Sequence, residues 1–483
     1  MALSPSAPAQ EQPPVSGIFN FDADMMYDAT VRQAPQDTTY NIADGVTVTI
    51  SNAVSTANGG VFAPATSRMF TIAPTGSTGR LVFLNNQTSG QGGVFYLGGG
   101  VRLYFTNVSF IGNSSSNATG GGAIRTASNT GAVVLDSVLF EKNHAPNGGV
   151  FRAYSSITVN SGTFTGNYAD GTATSSGFGG ALGMPISGNA PISVLREGVF
   201  SGNWAARAGG AAATQGNHSV EFWDTVGFGC NFAGVGGGAI YDTANAGAAD
   251  VDGISLRFTG TTGISDFLYS GNVAKGAVLT VAEVTAAKSG SIAFTPAARA
   301  GGFYFSATGG TRLRFEIADN VTVSIGEAGN PSSWDSIASS DASGATGKLD
   351  LTGAGAGRLV LHADNSYFQG SVNIGAGSLF LGNQNARLGG AVTVAGGATL
   401  GGSGTLVTLN QAGSVLAGRT GVTLADGVTL AAGTDTATDA ETLAVLGNVA
   451  DSNGWGTEIQ SIVQGTIVIA AVALDAFVRT RRA

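Results

Sequence analysis

Two short motifs alternate along the first two thirds of the chain, and their alternation constrains the fold more than any other feature. Phe-x-x-Asn stands at Phe83–Asn86, Phe110–Asn113, Phe140–Asn143, Phe164–Asn167, Phe200–Asn203 and Phe228–Asn231, with a Tyr269–Asn272 variant. A second motif, Gly-Gly and two apolar residues, follows each within a short turn. Its copies begin at Gly92, Gly121, Gly148, Gly179, Gly209 and Gly237, with outlying copies at Gly59 and Gly301 and a degenerate one at Gly276. Strict alternation means that the motifs mark two fixed points of one repeating unit of about 25 to 40 residues, which must stack on its neighbours to bury an apolar face. No segment inside the repeat shows a 3.6-residue apolar period, so a strand-helix-strand unit is excluded. The expectation is an all-β chain: a right-handed parallel β-helix, or solenoid, with an N-terminal cap. The hand follows from the near-universal hand of parallel crossovers. At about 4.8 Å per coil, roughly fifteen to eighteen coils would form a rod of roughly 70 to 90 Å.

Each motif residue then has a physical task. Phe takes an inward position, often with an apolar residue two before it (Leu81, Val108, Val138, Val226), as period-2 strands require. Asn follows at the corner, where it tolerates a left-handed backbone and its amide can ladder to the Asn of the next coil. The glycines of the second motif make the next corner. The fourth residue of that motif starts another inner column, read as Phe62, Phe95, Ile124, Phe151, Leu182, Ala212, Ile240, Val278 and Tyr304. The residue after it (Tyr96, Arg125, Arg152, Tyr241) is expected to face out. Length variation is assigned to loops, chiefly 169–177 and 242–266.

Composition narrows the function. The chain has 483 residues, of which 76 are Gly and only 11% are charged, with 43% hydrophobic residues and a mean hydropathy of +0.20. That is neither a disordered nor a collagenous profile. A net charge of -9 argues against nucleic acid as a partner, since phosphate binding needs clustered Lys and Arg. The single cysteine, Cys230, excludes an internal disulfide and reads as a small buried hydrophobe. No cofactor or metal is expected, because three scattered histidines supply no ligand cluster. The longest apolar candidate for a membrane span, 467–474, is only strand-sized. Residues 1–16 read as a Pro-rich leader or linker, in which Ala7-Pro8-Ala9 has the form of a signal cleavage site.

The paired motifs, as in Phe110-Ile111-Gly112-Asn113 with Gly121-Gly122-Ala123-Ile124, resemble the repeats of the chlamydial polymorphic outer-membrane proteins. The resemblance covers about residues 59 to 305. It implies a secreted or surface-displayed autotransporter passenger that acts as an adhesin or stalk toward a host or cell-surface protein or glycan. Residues 357–381 resemble the autotransporter-associated β-strand repeat, with Leu359, Leu361, Asn365, Tyr367, Gly370, Val372, Ile374, Gly377 and Leu379 fitting its pattern. Trp334-Asp335-Ser336-Ile337 resembles a Tyr-Asp-Pro-Ile element at this junction in the polymorphic proteins. The organisation read from this is a β-helix over 17–328, a junction loop at 329–345 and a C-terminal β-helix over 346–483. The residues after Leu406 are too few for a membrane barrel. The chain is therefore expected to be a passenger fragment, a disrupted gene product or a released form, with its own outer-membrane barrel as a partner if the full-length gene has one, and the product to be extracellular or on the bacterial cell surface.

The alternative is a polysaccharide-degrading β-helix enzyme, a lyase or hydrolase. No Asp-Asp pair, Gly-His-Gly or Gly-x-Ser-x-Gly element supports it, and His144, His218 and His362 read as solvated surface residues. No catalytic residue is assigned. The binding candidates come from aligning the repeats on the motif Asn. Two residues past it runs a small column, Thr88, Ser115, Ala145, Ala169, Ala205, Ala233 and Ala274, expected to point in. One residue past it, His144, Tyr168, Trp204 and Phe232 should then point out and stack on consecutive coils. Two readings of that stack stay open. It is either an exposed aromatic stripe that binds a protein or glycan, or a structural ladder covered by the loop after Asn167.

Overall fold

A computed structural model describes residues 13–424 apart from 29–35, 65, 128–130, 186–191, 216–217, 244–250, 261–265, 292–300, 306–310, 329–334, 340–346, 354–356, 384, 396–397, 403–404, 412–413 and 418–422. The leader before residue 13, Trp334 and the apolar run at 467–474 lie outside the described residues.

Fifteen strands, from Gly17–Phe21 through Arg102–Thr106, Ser219–Gly229 and Lys348–Thr352 to Thr423–Leu424, stack one on the next in a single parallel column. The chain is a parallel β-solenoid. Two further sheets of short strands accompany the long one over the motif repeats. One consists of two-residue strands from Val54–Ser55 to Val273–Ala274, and the other runs from Phe95–Leu97 to Ile337–Ser339. Past Ile337–Ser339 the coils shorten. Two stacked columns remain there, represented by Ser371–Ile374 and Ser378–Leu381, with Leu359, Leu361, Val372, Ile374 and Leu379 all buried.

The inward columns form one continuous apolar interior. Phe83, Phe110, Phe140, Phe164, Phe200 and Phe228 are buried and stack ring on ring at 4.9, 4.9, 5.0, 4.4 and 5.1 Å between centroids, one per coil. Burying each ring stabilises the rod by about 2 to 3 kcal/mol, and the stacking adds to that.

Beside this stack runs a polar one. Asn86, Asn113, Asn143, Asn167, Asn203, Asn231 and Asn272 are fully buried. Each side-chain amide nitrogen donates to the amide oxygen of the next Asn at 2.9–3.0 Å, across sequence separations of 27, 30, 24, 36, 28 and 41 residues. Its second proton goes to a main-chain carbonyl one coil back, for example from Asn143 to Phe110 at 2.8 Å. Its oxygen also accepts the preceding Asn's backbone N–H. Every polar atom of these buried amides is satisfied, which is what makes them tolerable in the interior. Asp335 closes the ladder: its carboxylate accepts from the backbone and side chain of Asn272 at 2.9 and 2.8 Å and from the Gly271 N–H at 2.8 Å. The last rung has only to accept, so a carboxylate suits it.

Several sequence expectations are corrected. The left-handed residue of the Phe-x-x-Asn corner is the one before the Asn: Asn85, Gly112, Lys142, Gly166, Gly202, Cys230 and Gly271 have φ of 55, 64, 55, 62, 62, 55 and 75°. The same position turns outward, so Cys230 is exposed and not a core hydrophobe. In the second motif the first Gly is usually left-handed, as at Gly148 (φ 62°). The second Gly lies flat against its neighbour: a Cβ on Gly122 would collide with the Gly149 carbonyl, and one on Gly149 with that of Gly180.

The inner column after Ile240 passes to Phe303 and Ile337, not to Val278 and Tyr304. Phe303 is buried, whereas Tyr304 faces out and stacks on Tyr241 at 5.6 Å, so the Gly301 copy is one residue shorter than the rest. The degenerate copy at Gly276 leads instead into a helix, α1 (Val281–Lys288). It escaped a search for apolar periodicity because it is eight residues long and buries only Val284 and Ala287. The stretch 242–266 is not all loop, since Val251–Phe258 is a strand of the long column.

Candidate functional site

The two-residue strands form one narrow face. Val54–Ser55, Gln87–Thr88, Ser114–Ser115, His144–Ala145, Tyr168–Ala169, Trp204–Ala205, Phe232–Ala233 and Val273–Ala274 pair in parallel in that order. With two residues per strand, one side chain must point in and the other out. Thr88, Ser115, Ala145, Ala169, Ala205, Ala233 and Ala274 are the buried, inward ones.

The outward column stacks: His144 on Tyr168 at 4.7 Å and 8°, Tyr168 on Trp204 at 4.6 Å and 2°, and Trp204 on Phe232 at 5.6 Å and 11°. The four rings do not share one environment. Trp204 and Phe232, 4% and 3% exposed, pack with Leu279, Val284 and Ala287 beneath α1. Tyr168 and His144 stay half-buried at the edge of that cover. The cover is thus a helix from the chain after Ala274, not the loop after Asn167.

α1 is held by local chemistry. Thr280 and Glu283 form a reciprocal capping box, Lys275 pairs with Glu283 at 2.6 Å, and Lys288 in the last turn reaches Asp170 at 2.5 Å. Lys288 also lies 5.9 Å from the Tyr168 ring centre. These contacts place the end of the helix above the boundary between Tyr168 and His144.

Among the described residues, none covers the face past Lys288. A groove of about 520 Å³ runs along it from Asp170 and His144 over Ser114 and Gln87 to Ser55 and Val54, the last 73% exposed. A neighbouring depression of about 460 Å³ reaches from His144 along the ring edges of Tyr168, Trp204 and Phe232. Burial lowers the His144 pKa, against the pull of Asp170, and pushes the Tyr168 phenol up to about 12. Both are therefore neutral at pH 7. The groove offers hydroxyls, amides and an aromatic edge, its one ion pair lying at the helix end. Such a lining fits an uncharged polar ligand better than an ionic one.

The other histidines are not solvated as the sequence reading had them. His218 and His362 are buried, and desolvation lowers both pKa values. They sit away from the groove lining. Among the described residues no group of three or more His, Cys, Asp or Glu side chains is placed to hold a metal ion, and no helix is long and apolar enough to cross a membrane.

Over 345 residues the chain is 30% identical to the probable autotransporter YfaL of Escherichia coli strain K12, a match covering 69% of this chain and 24% of that protein. The chain thus spans about a quarter of the length of the relative it matches. No family model and no solved structure matches. The parallel solenoid and this similarity together support an autotransporter passenger, displayed at the bacterial outer membrane or cell surface.

Proposed function

We propose that this passenger acts as an adhesin, and that its contact surface is the half-covered face of two-residue strands, with His144 and Tyr168 at the centre. The observation that carries the reading is the change of environment along one aromatic column. Trp204 and Phe232 lie under α1 with Tyr168 packed at their edge, whereas His144, the next ring in the column, lines a polar groove. A ladder needed only for stability has no reason to end in a groove of hydroxyls and amides. Stacked rings beside hydroxyl-rich walls suit a glycan, whose C–H faces lie on aromatics while its hydroxyls find hydrogen-bond partners. Trp204 and Phe232 then serve as the buried foundation of the site. The motif pairs make the chain a relative of the polymorphic outer-membrane proteins in its repeat design, which is the finer family reading we propose.

A catalytic reading as a polysaccharide lyase or hydrolase has less support. Its chemistry needs two acid or base groups free to face one groove. Here the titratable groups are a neutral His144 and an Asp170 already engaged by Lys288 at 2.5 Å.

Two substitutions test the proposal. Ser114→Trp fills the groove without touching the covered rings, and Tyr168→Ser removes the ring on which the groove's His144 stacks. Adhesion to host cells or to a glycan array is expected to fall at least tenfold in both, with the unfolding midpoint unchanged in Ser114→Trp and stability lowered by only about 1 kcal/mol in Tyr168→Ser. Adhesion retained in both would contradict the assignment. Release of reducing ends or unsaturated sugars from a polysaccharide panel would favour the enzyme.

A further inference from the structure

The face that runs from Phe95–Leu97 to Ile337–Ser339 carries an outward column of a different kind. In register on successive coils stand Tyr96, Arg125, Arg152 and Gly183. Two guanidinium groups therefore rise one strand spacing apart, about 4.8 Å at the backbone. Arg125 is only 6% exposed. Its guanidinium carbon lies over the Tyr154 ring at 4.4 Å from the centre, with one nitrogen on the Thr126 carbonyl and 3.4 Å from the Arg152 carbonyl.

Among the described residues no carboxylate lies within 4 Å of either arginine, in contrast to Arg257 and Arg312, which have acidic partners on the long sheet. The Nε–H groups of both Arg125 and Arg152 are buried and have no acceptor. Tyr154 hydrogen-bonds to both guanidiniums through its phenol. On the coil after Arg152 the column position is Gly183, which adds no side chain to the column. Two adjacent, largely buried cations with unused donors and no counter-charge are unfavourable as they stand. Burial lowers the pKa of both, that of Arg125 to about 10, and the charge of Arg152 contributes to the lowering at Arg125.

We propose that Arg125, Arg152 and Tyr154 form an oxyanion site, which takes a sulfate, phosphate or carboxylate group between the two guanidiniums. The planar forks of two arginines supply parallel N–H donors, the phenol supplies a third kind of donor, and an anion offers what the column lacks, acceptors and negative charge. The site lies on a different face from the groove of His144 and Tyr168, and so stands independently of the proposed adhesin surface. In a chain of net charge -9 it is a local exception. The anion could come free from solution or as a substituent of an acidic polysaccharide.

The test uses the intact chain and phenylglyoxal, which modifies accessible guanidiniums, with the modified peptides mapped. Sodium sulfate at millimolar concentration is expected to slow modification of Arg152 at least fivefold relative to sodium chloride at equal ionic strength, leaving Arg358 unaffected. Dextran sulfate and polygalacturonate, against neutral dextran, separate the sources. Protection at much lower group concentration with either polymer assigns a polysaccharide substituent, and protection by the inorganic ion alone assigns a free ion. Equal Arg152 rates in sulfate, chloride and both polymers would overturn the site. The Arg125→Lys/Arg152→Lys variant keeps both charges but loses the forks, and its sulfate-dependent rise in unfolding temperature should be less than half that of the parent. A rise as large as the parent's would overturn the bidentate assignment, since the general stabilisation by sulfate acts on both chains alike.

Discussion

Replacing Asn167 tests the buried amide ladder at its middle. The side chain makes four hydrogen bonds. It donates to the Phe140 carbonyl at 2.9 Å and to Asn203 Oδ1 at 3.0 Å, and it accepts from the backbone and side chain of Asn143 at 2.9 and 3.0 Å. In Asn167→Ala, Asn203 Oδ1 keeps the Asn167 backbone N–H. Three buried groups lose their partner: the Phe140 carbonyl, the Asn143 N–H and one Asn143 amide proton. At about 1 to 3 kcal/mol for each buried orphan, allowing for relaxation, the expected loss is roughly 3 to 6 kcal/mol. Asn167→Asp should be at least as damaging, since it sets a carboxylate against Asn203 Oδ1 in the interior. At the closing rung the order reverses. Asp335→Asn keeps an acceptor on the backbone and side chain of Asn272, sets an amide donor only against the Gly271 N–H, and should cost about 1 to 3 kcal/mol. Urea unfolding followed by tryptophan fluorescence reads the global effect. Hydrogen exchange at the Asn143 and Asn203 amides reads the local one, which matters in a solenoid because neighbouring coils need not unfold together. A loss below about 1 kcal/mol for Asn167→Ala, or equal damage from Asn167→Asp and Asp335→Asn, would refute the reasoning.

The remaining predictions concern other faces of the rod. Asp242 is fully buried with one oxygen on Thr214 and the other without a partner, and burial raises its pKa from 3.8 to about 7. Between these values the folded chain keeps a proton that the unfolded chain loses. Its contribution is therefore full below about pH 4 and declines by roughly 4 kcal/mol as pH rises to 7. Asp242→Asn should flatten that decline, and a parallel pH–stability curve in the variant would contradict it. Trp204→Ser, which empties the space under α1, should cost about 3 kcal/mol or more, and Tyr168→Ser about 1; unfolding midpoints with the opposite ranking would show that α1 does not cover the face as described. Cys230 should react fully with a maleimide in the native state, whereas a buried thiol would react only on unfolding.

The motif columns were legible because stacking enforces them. The equivalents of Phe140 and Asn143 recur on each coil that carries the motifs, where a smaller or unmatched residue would leave a void or an orphaned polar group. The partner of the last rung was legible in part: the Asp335 region stood out by resemblance, but its task in closing the ladder needs the distance to Asn272. What the sequence concealed were the departures from the repeat. The Gly301 copy differs by one residue, which flips Phe303 and Tyr304 between inside and outside, as any single-residue shift in a strand does. The cover over Trp204 was out of reach of periodicity, although Thr280-Val281-Ala282-Glu283 has the spacing of a capping box and marked a helix start. His144 and Tyr168 were found by counting from the motif Asn. Their separation from Trp204 and Phe232 was not, because it depends on where α1 ends.

A spin-label ruler tests the central claim, that the chain is one parallel stack whose register is set by the motifs. Outward positions on the long sheet run Tyr104, Val134, Thr158, Val194, Glu221, Ser255, Arg314, Asp350 and Asn373, one per coil. With one label at Tyr104 and the other moved along this column, pulsed dipolar spectroscopy should give separations of about 29 Å at Arg314 and about 38 Å at Asn373, growing by about 4.8 Å per coil. Distances that fail to grow in that order, or that place Asn373 nearer to Tyr104 than Arg314 is, would contradict the stack.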